Sequence, residues 1–127
     1  MAKEPAEKSS GGVSSRREHK RVSASVTVKL KSSDGRRISS ERLSNVSLGG
    51  VFIEMDDPLA FGTDVELEFS LPIDPRAICC RGFVVWSTKT SPERAQGQSG
   101  IGVRLMDIGV REMRIVNQYI EEQLKRG

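Results

Sequence analysis

The sequence predicts an all-β fold, a small antiparallel barrel or sandwich, followed by one helix. Three observations carry this. Short segments with a two-residue apolar period recur along the chain, separated by Gly, Pro and Ser. The period changes once, after Met106, to three or four. Before Arg16 there is no period at all, only Ala, Lys, Glu, Pro, Ser and Gly with Met1 and a single Val13.

Residues 1–15 cannot bury enough apolar surface to offset the entropy of ordering, so they are predicted to be a disordered arm. Val22, Ala24, Val26, Val28 and Leu30 then alternate with Ser23, Ser25, Thr27, Lys29 and Lys31, the pattern of a half-buried strand. Ser33-Asp34-Gly35 is a turn signal. Ile38–Val46 reads as a second, Ser-rich strand, and Gly50–Met55 as a third. Pro58 to Gly62 connects to a fourth, where Val65, Leu67, Phe69 and Leu71 alternate with Glu66, Glu68 and Ser70. Pro72 and Pro75 close it. Arg76–Trp86 forms a long fifth strand, Lys89 to Gly97 a polar loop, and Gly100–Leu105 a sixth strand. Asp107 is a candidate N-cap for a helix whose apolar stripe is Val110, Met113, Val116 or Asn117, Ile120 and Leu124. That stripe either packs on the barrel or receives a partner.

At 127 residues and 14.0 kDa the chain suits one domain plus a tail. The division expected is a tail over 1–15 and one domain over 16–127, with a barrel over about 22–106 and a helix over about 108–125. The longest strongly apolar stretch, Phe83–Trp86, falls far short of the ~20 residues of a membrane span. The opening MAKEPAEKSS lacks the apolar stretch of a secretory signal, so a cytoplasmic protein is expected. Cys79 and Cys80 are adjacent and would point to opposite faces of a strand, which strains a vicinal disulfide. They read as two reduced thiols, one of them buried. With a single His, they cannot build a zinc site, and no metal or cofactor is expected.

The net charge of +3 is localised. Residues 1–21 hold six basic and three acidic residues, leaving 14 of the 20 basic and 14 of the 17 acidic residues for the rest. A basic knot, Arg16–Arg21, beside a neutral domain points to an anionic partner or to a merely solvated tail. Nothing points to catalysis. The one histidine, His19, lies in the basic arm with no fixed carboxylate or nucleophile beside it, and G-x-S-x-G, P-loop and H-E-x-x-H patterns are absent. Asp56-Asp57 reads as a solubilising pair at a turn. Gly100-Ile101-Gly102 reads as close backbone packing within a strand.

Binding chemistry is better represented. Arginine makes bidentate bonds to phosphate and to the O6/N7 edge of guanine, and stacks on bases. Arg17 and Arg21 can converge on one compact anion, with Arg16 as a third guanidinium. Asn45-Val46-Ser47-Leu48-Gly49-Gly50 lies between two strands and is either an ordinary turn or a polar corner of a site.

Together the two clusters resemble the PilZ domain, whose pattern is R-x-x-x-R followed by D/N-x-S-x-x-G. Here Arg17-Glu18-His19-Lys20-Arg21 is followed about 25 residues later by Asn45-Val46-Ser47-Leu48-Gly49-Gly50. The strand Gly50–Ile53 and the late strand Gly100–Leu105 before a terminal helix are also similar, and the resemblance covers about residues 16–120. It implies a six-stranded antiparallel β-barrel with a C-terminal α-helix that binds cyclic di-GMP. Arg17 and Arg21 would clamp phosphate and the guanine Hoogsteen edge. Asn45 and Ser47 would hydrogen-bond guanine or nearby backbone, and Gly50 would let the chain approach the base. Arg16 resembles the extra arginine of members that take up a stacked, intercalated ligand dimer.

The resemblance implies a stand-alone receptor or adaptor. It would change conformation on binding and regulate a downstream protein partner in trans, with motility, exopolysaccharide or biofilm output. Two alternatives remain open from the residues. A nucleic-acid binder could use the same basic arm, against which stands the scarcity of aromatics, 5% and mostly at core-like positions, with no stacking platform expected. A protein-interaction module without nucleotide would use the helix.

Overall fold

The computed structural model describes residues 21–90 and 98–126. The expected arm over 1–15, and most of the Lys89–Gly97 loop, lie outside the described residues.

Six strands form: β1 Val22–Ser32, β2 Ile38–Val46, β3 Gly50–Glu54, β4 Asp64–Leu71, β5 Asp74–Ser87 and β6 Gly100–Met106. One helix, α1 Val110–Arg126, follows. The strands close in the order β1-β2-β3-β6-β5-β4, every neighbour antiparallel, with β4 returning to β1. Closure decides between the two expected architectures in favour of the six-stranded barrel, since a sandwich would leave edges unpaired.

Alternation supplies the core. In β4 the residues Val65, Leu67, Phe69 and Leu71 are buried while Asp64, Glu66, Glu68 and Ser70 are exposed. An inward row of valines, Val22, Val46, Val51, Val103 and Val84, runs across β1, β2, β3, β6 and β5 in direct register. The Ser33-Asp34-Gly35 turn forms as expected, with the Gly35 amide donating to the Ser32 carbonyl at 2.9 Å and Gly35 at φ 77°.

Three expectations are corrected. First, β5 starts at Asp74 rather than Arg76. Pro75 is tolerated inside it because the β4–β5 register slips between Phe69 and Leu71, so the ladder loses no amide there. Second, Asp107 is not the N-cap. The first helical bond runs from the Met113 amide to the Gly109 carbonyl at 2.9 Å, which puts the cap at Gly109. Asp107 instead adopts φ 54° at the reversal out of β6, and its carboxylate sits 3.4 Å from Arg81. Third, the buried stripe of α1 is Ile115, Val116, Tyr119 and Ile120, with Met113 partly buried against the core. Val110 and Leu124 are exposed, at 73% and 44%. The 17-residue helix is about 25 Å long. Its central turns lie against β1, β4 and β5, and its end turns overhang. The stripe packs on the barrel, as one of its two readings had it.

Cys79 and Cys80 are free thiols, Cys79 exposed and Cys80 buried. Burial, with the neighbouring Cys79 second, pushes the Cys80 thiol up to about 11. Only the thiolate reacts. With a thiol reagent at pH 8, one equivalent is expected to react in the native protein and the second only in denaturant. Two fast equivalents in the native state would contradict the burial of Cys80.

Candidate functional site

Alternation alone would hide the site. Along β2, Leu43 points into the core, and Asn45, two residues on, should follow it. The β2–β3 register slips between them, pairing Leu43 with Ile53 but Asn45 with Phe52. The extra residue, Ser44, turns Asn45 outward and Val46 inward. The same device operates in β5. Val84 is buried and pairs with Val103, yet Trp86 pairs with Gly102, because the register slips at Val85. Trp86 thereby leaves the core face, and Ser87 is buried in its place.

The two slips bring one outward row into register across the wall: Ser23 on β1, Asn45 on β2, Phe52 on β3, Gly102 on β6 and Trp86 on β5. Phe52 and Trp86 stack across the bare Gly102, ring centroids 5.3 Å apart and planes 17° apart. A Cβ at Gly102 would collide with the indole, and one at Gly100 with the Ile53 carbonyl, so the two glycines are close-packing positions, as expected. The next outward row places Gly50 beside Arg104 and Arg104 beside Phe83.

These rows wall a cleft of about 430 Å³, lined among others by Arg21, Asn45, Ser47, Gly50, Phe52, Trp86 and Arg104. The turn closing β2 onto β3 is built by Ser47. Its hydroxyl accepts from the Gly50 amide and donates to the Gly50 carbonyl, both at 3.2 Å, while its own amide donates to that carbonyl at 2.8 Å. Gly50 is required there by packing. A Cβ would run into the Val103 carbonyl across the β3–β6 ladder, and a backbone atom cannot move aside.

Arg21 and Arg104 are exposed, and among the described residues neither is paired with a carboxylate. Among the described residues no Asp or Glu lines the cleft. A second cleft, of about 550 Å³, is lined by Glu41, Glu54 and Asp56 against one Arg42. The first therefore suits an anion and the second does not.

Of the expected site residues, the structure brings Arg21, Asn45, Ser47 and Gly50 to one cleft. Arg16 and Arg17 lie outside the described residues. Phe52, Trp86 and Arg104 were not expected. The absence of a stacking platform, anticipated from core-like aromatic positions, is overturned by the Phe52–Trp86 stack. A legible signal was Gly100-Ile101-Gly102, since a bare spot on an outer sheet face invites a large ring from the next strand. What the cleft offers is guanidinium for negative charge, an amide for a base edge and aromatic faces for stacking. That is the set for a planar, phosphate-bearing ligand.

A profile described as PilZ domain matches residues 15–122, and the chain belongs to the PilZ domain family. Among solved structures it is similar to the inhibitor of motility MotI/DgrA of Bacillus subtilis, at 20% identity and TM-score 0.67, covering 87% of this chain and 52% of that one. It is similar to YcgR of Escherichia coli in complex with c-di-GMP, at 18% identity and TM-score 0.66, covering 87% and 46%. It is also similar to the PilZ domain of CeSA from a cellulose-synthesizing bacterium, at 20% identity and TM-score 0.57, covering 81% and 96%. The chain thus spans about half the length of the MotI and YcgR chains. At these identities the likeness is one of fold. No curated protein matches the chain significantly.

Gly50→Ala is expected to destabilise the ligand-free protein by about 1–3 kcal/mol, measured by urea unfolding. A purely ligand-directed role for Gly50 would leave stability unchanged. Gly102→Val is expected to displace the indole of Trp86, the chain's one tryptophan, and to shift its emission.

Proposed function

We propose that this chain is a receptor for cyclic di-GMP and takes the ligand in the Arg21–Asn45–Trp86 cleft. The observation that carries the reading is the meeting of Arg21 with Asn45, Ser47 and Gly50, which are distant in sequence, around a cleft with no carboxylate among its described lining residues. Family membership and the complex of the similar YcgR with c-di-GMP support it.

On this reading Arg21 and Arg17 clamp phosphate and the guanine Hoogsteen edge. Asn45 bonds the base, and Ser47 holds the turn that presents it. Phe52 and Trp86 offer ring faces, and Arg104 adds charge from β6. Arg16 serves a second, stacked ligand molecule. The binding unit is the domain over 16–127. It acts in the cytoplasm by binding rather than catalysis and without a cofactor. Its effect is exerted on a downstream protein through a changed surface. The compact cleft, with two exposed arginines among its lining residues, favours a small dinucleotide over an extended nucleic-acid strand, which needs a basic track along its backbone. Among the described residues no helix is long and apolar enough to cross a membrane.

Calorimetric titration with cyclic di-GMP tests the assignment. A hydrogen bond to a charged group contributes about 1.5–3 kcal/mol, so losing a bidentate pair in Arg21→Ala should weaken binding by roughly 100-fold or more. Arg17→Ala should do the same, with unchanged thermal unfolding in both. Near-normal affinity in these variants would refute the site. Tight, steeply salt-dependent binding of DNA or RNA without dinucleotide binding would favour the nucleic-acid alternative.

A further inference from the structure

The start of β1 is held differently from the rest. The β1–β4 ladder pairs Val28–Ser32 with Phe69–Val65; continued in register, β4 ends opposite Val26, so Val22–Ser25 run on past its end. On the other side β1 pairs with β2, but the register slips between Ser23 and Val26, leaving Val22↔Val46 and Ser23↔Asn45 beyond the slip. Helix α1 reaches this end of β1. The hydroxyl of Tyr119 donates to the Ser23 carbonyl at 3.0 Å, across 96 positions of sequence. The Tyr119 ring is buried among the core residues. Burial pushes its phenol above the usual tyrosine range, so it keeps the proton it donates at neutral pH. Ser23 is the register partner of Asn45 and lies two residues after Arg21, and both of those line the cleft.

We propose that Tyr119 is a positioning residue for the ligand cleft, its hydroxyl fastening the start of β1 so that Arg21 and Asn45 are presented together. This rests on the receptor reading above. The residue touches no ligand. It acts by restricting the β1 end on the side where β4 supplies no ladder, so that less ordering is left for the ligand to drive. The coupling makes α1 part of the binding unit rather than a passive cap.

Tyr119→Phe tests this, because it removes the hydroxyl and keeps the ring. Ile120→Val, one position along the same buried face, is the control for a general loss of packing. Each protein is titrated with cyclic di-GMP by calorimetry, and amide resonances are recorded without ligand. The wild type is expected to bind, and Tyr119→Phe to bind about five- to tenfold more weakly. Tyr119→Phe should shift the ligand-free Arg21, Ser23 and Asn45 amides, while Ile120→Val leaves affinity and those amides unchanged. If Tyr119→Phe binds as the wild type does, or Ile120→Val weakens binding equally, the proposal is overturned and the receptor reading stands. If the wild type itself gives no binding heat, both fall.

Discussion

The candidate site depends on one constraint, the strict two-residue alternation of a barrel wall, and on where it is broken. Inward positions are taken by the core and outward positions face water. A residue two places from a core residue belongs to the core unless the ladder slips. Ser44 and Val85 are such slips, and each moves a side chain of the candidate site from inside to outside. They lie on non-adjacent strands, yet they bring Asn45 and Trp86 into one transverse row. There is a local cost. The Ser44 hydroxyl is buried with no hydrogen-bond partner among the described residues.

The glycines of the same region link packing to recognition. Gly50 and Gly100 let β3 and β6 come together without Cβ atoms in the way, and Gly102 leaves a flat patch of backbone on which the Phe52–Trp86 stack rests. The aromatic faces therefore stand on paired strands rather than on a loop, and their geometry is set before any ligand arrives. Ser47 does the same for the corner by tying both backbone groups of Gly50. A rigid polar corner with a charged group at the end of a strand lets a small cleft bind without reorganising its wall.

What could be read in the sequence follows from the same physics. The six strands were legible because alternation survives over most of their length, most cleanly in Val65–Leu71. The corner at Asn45–Gly50 was legible because short polar side chains and Gly mark a turn. Trp86 was not, because alternation counted from Val84 puts it in the core, and a slip of one residue carries no composition of its own. The N-cap was misplaced for a related reason. Asp107 is the residue type that caps helices, but it is also a type that tolerates a positive φ, and the chain uses it for the reversal while bare Gly109 takes the cap. In α1 the periodic signal was real, yet spacing alone could not say which turns lie over the barrel. Val110 and Leu124 share the period of the stripe and overhang it.

Charge decides which of the two clefts a dianionic ligand can use. Along β3 the basic cleft is walled by Gly50–Phe52, and the acidic one begins at Glu54. Phe52 and Glu54 are on the same outer face, so the clefts begin about 7 Å apart along the strand. That is close to one Debye length at physiological salt, about 8 Å, so the carboxylates of the second cleft are already partly screened at the first. They repel a phosphate at their own cleft, while Arg21 and Arg104 attract it at the other. The field along β3 therefore favours an anion at the cleft that carries Asn45 and the stacked rings.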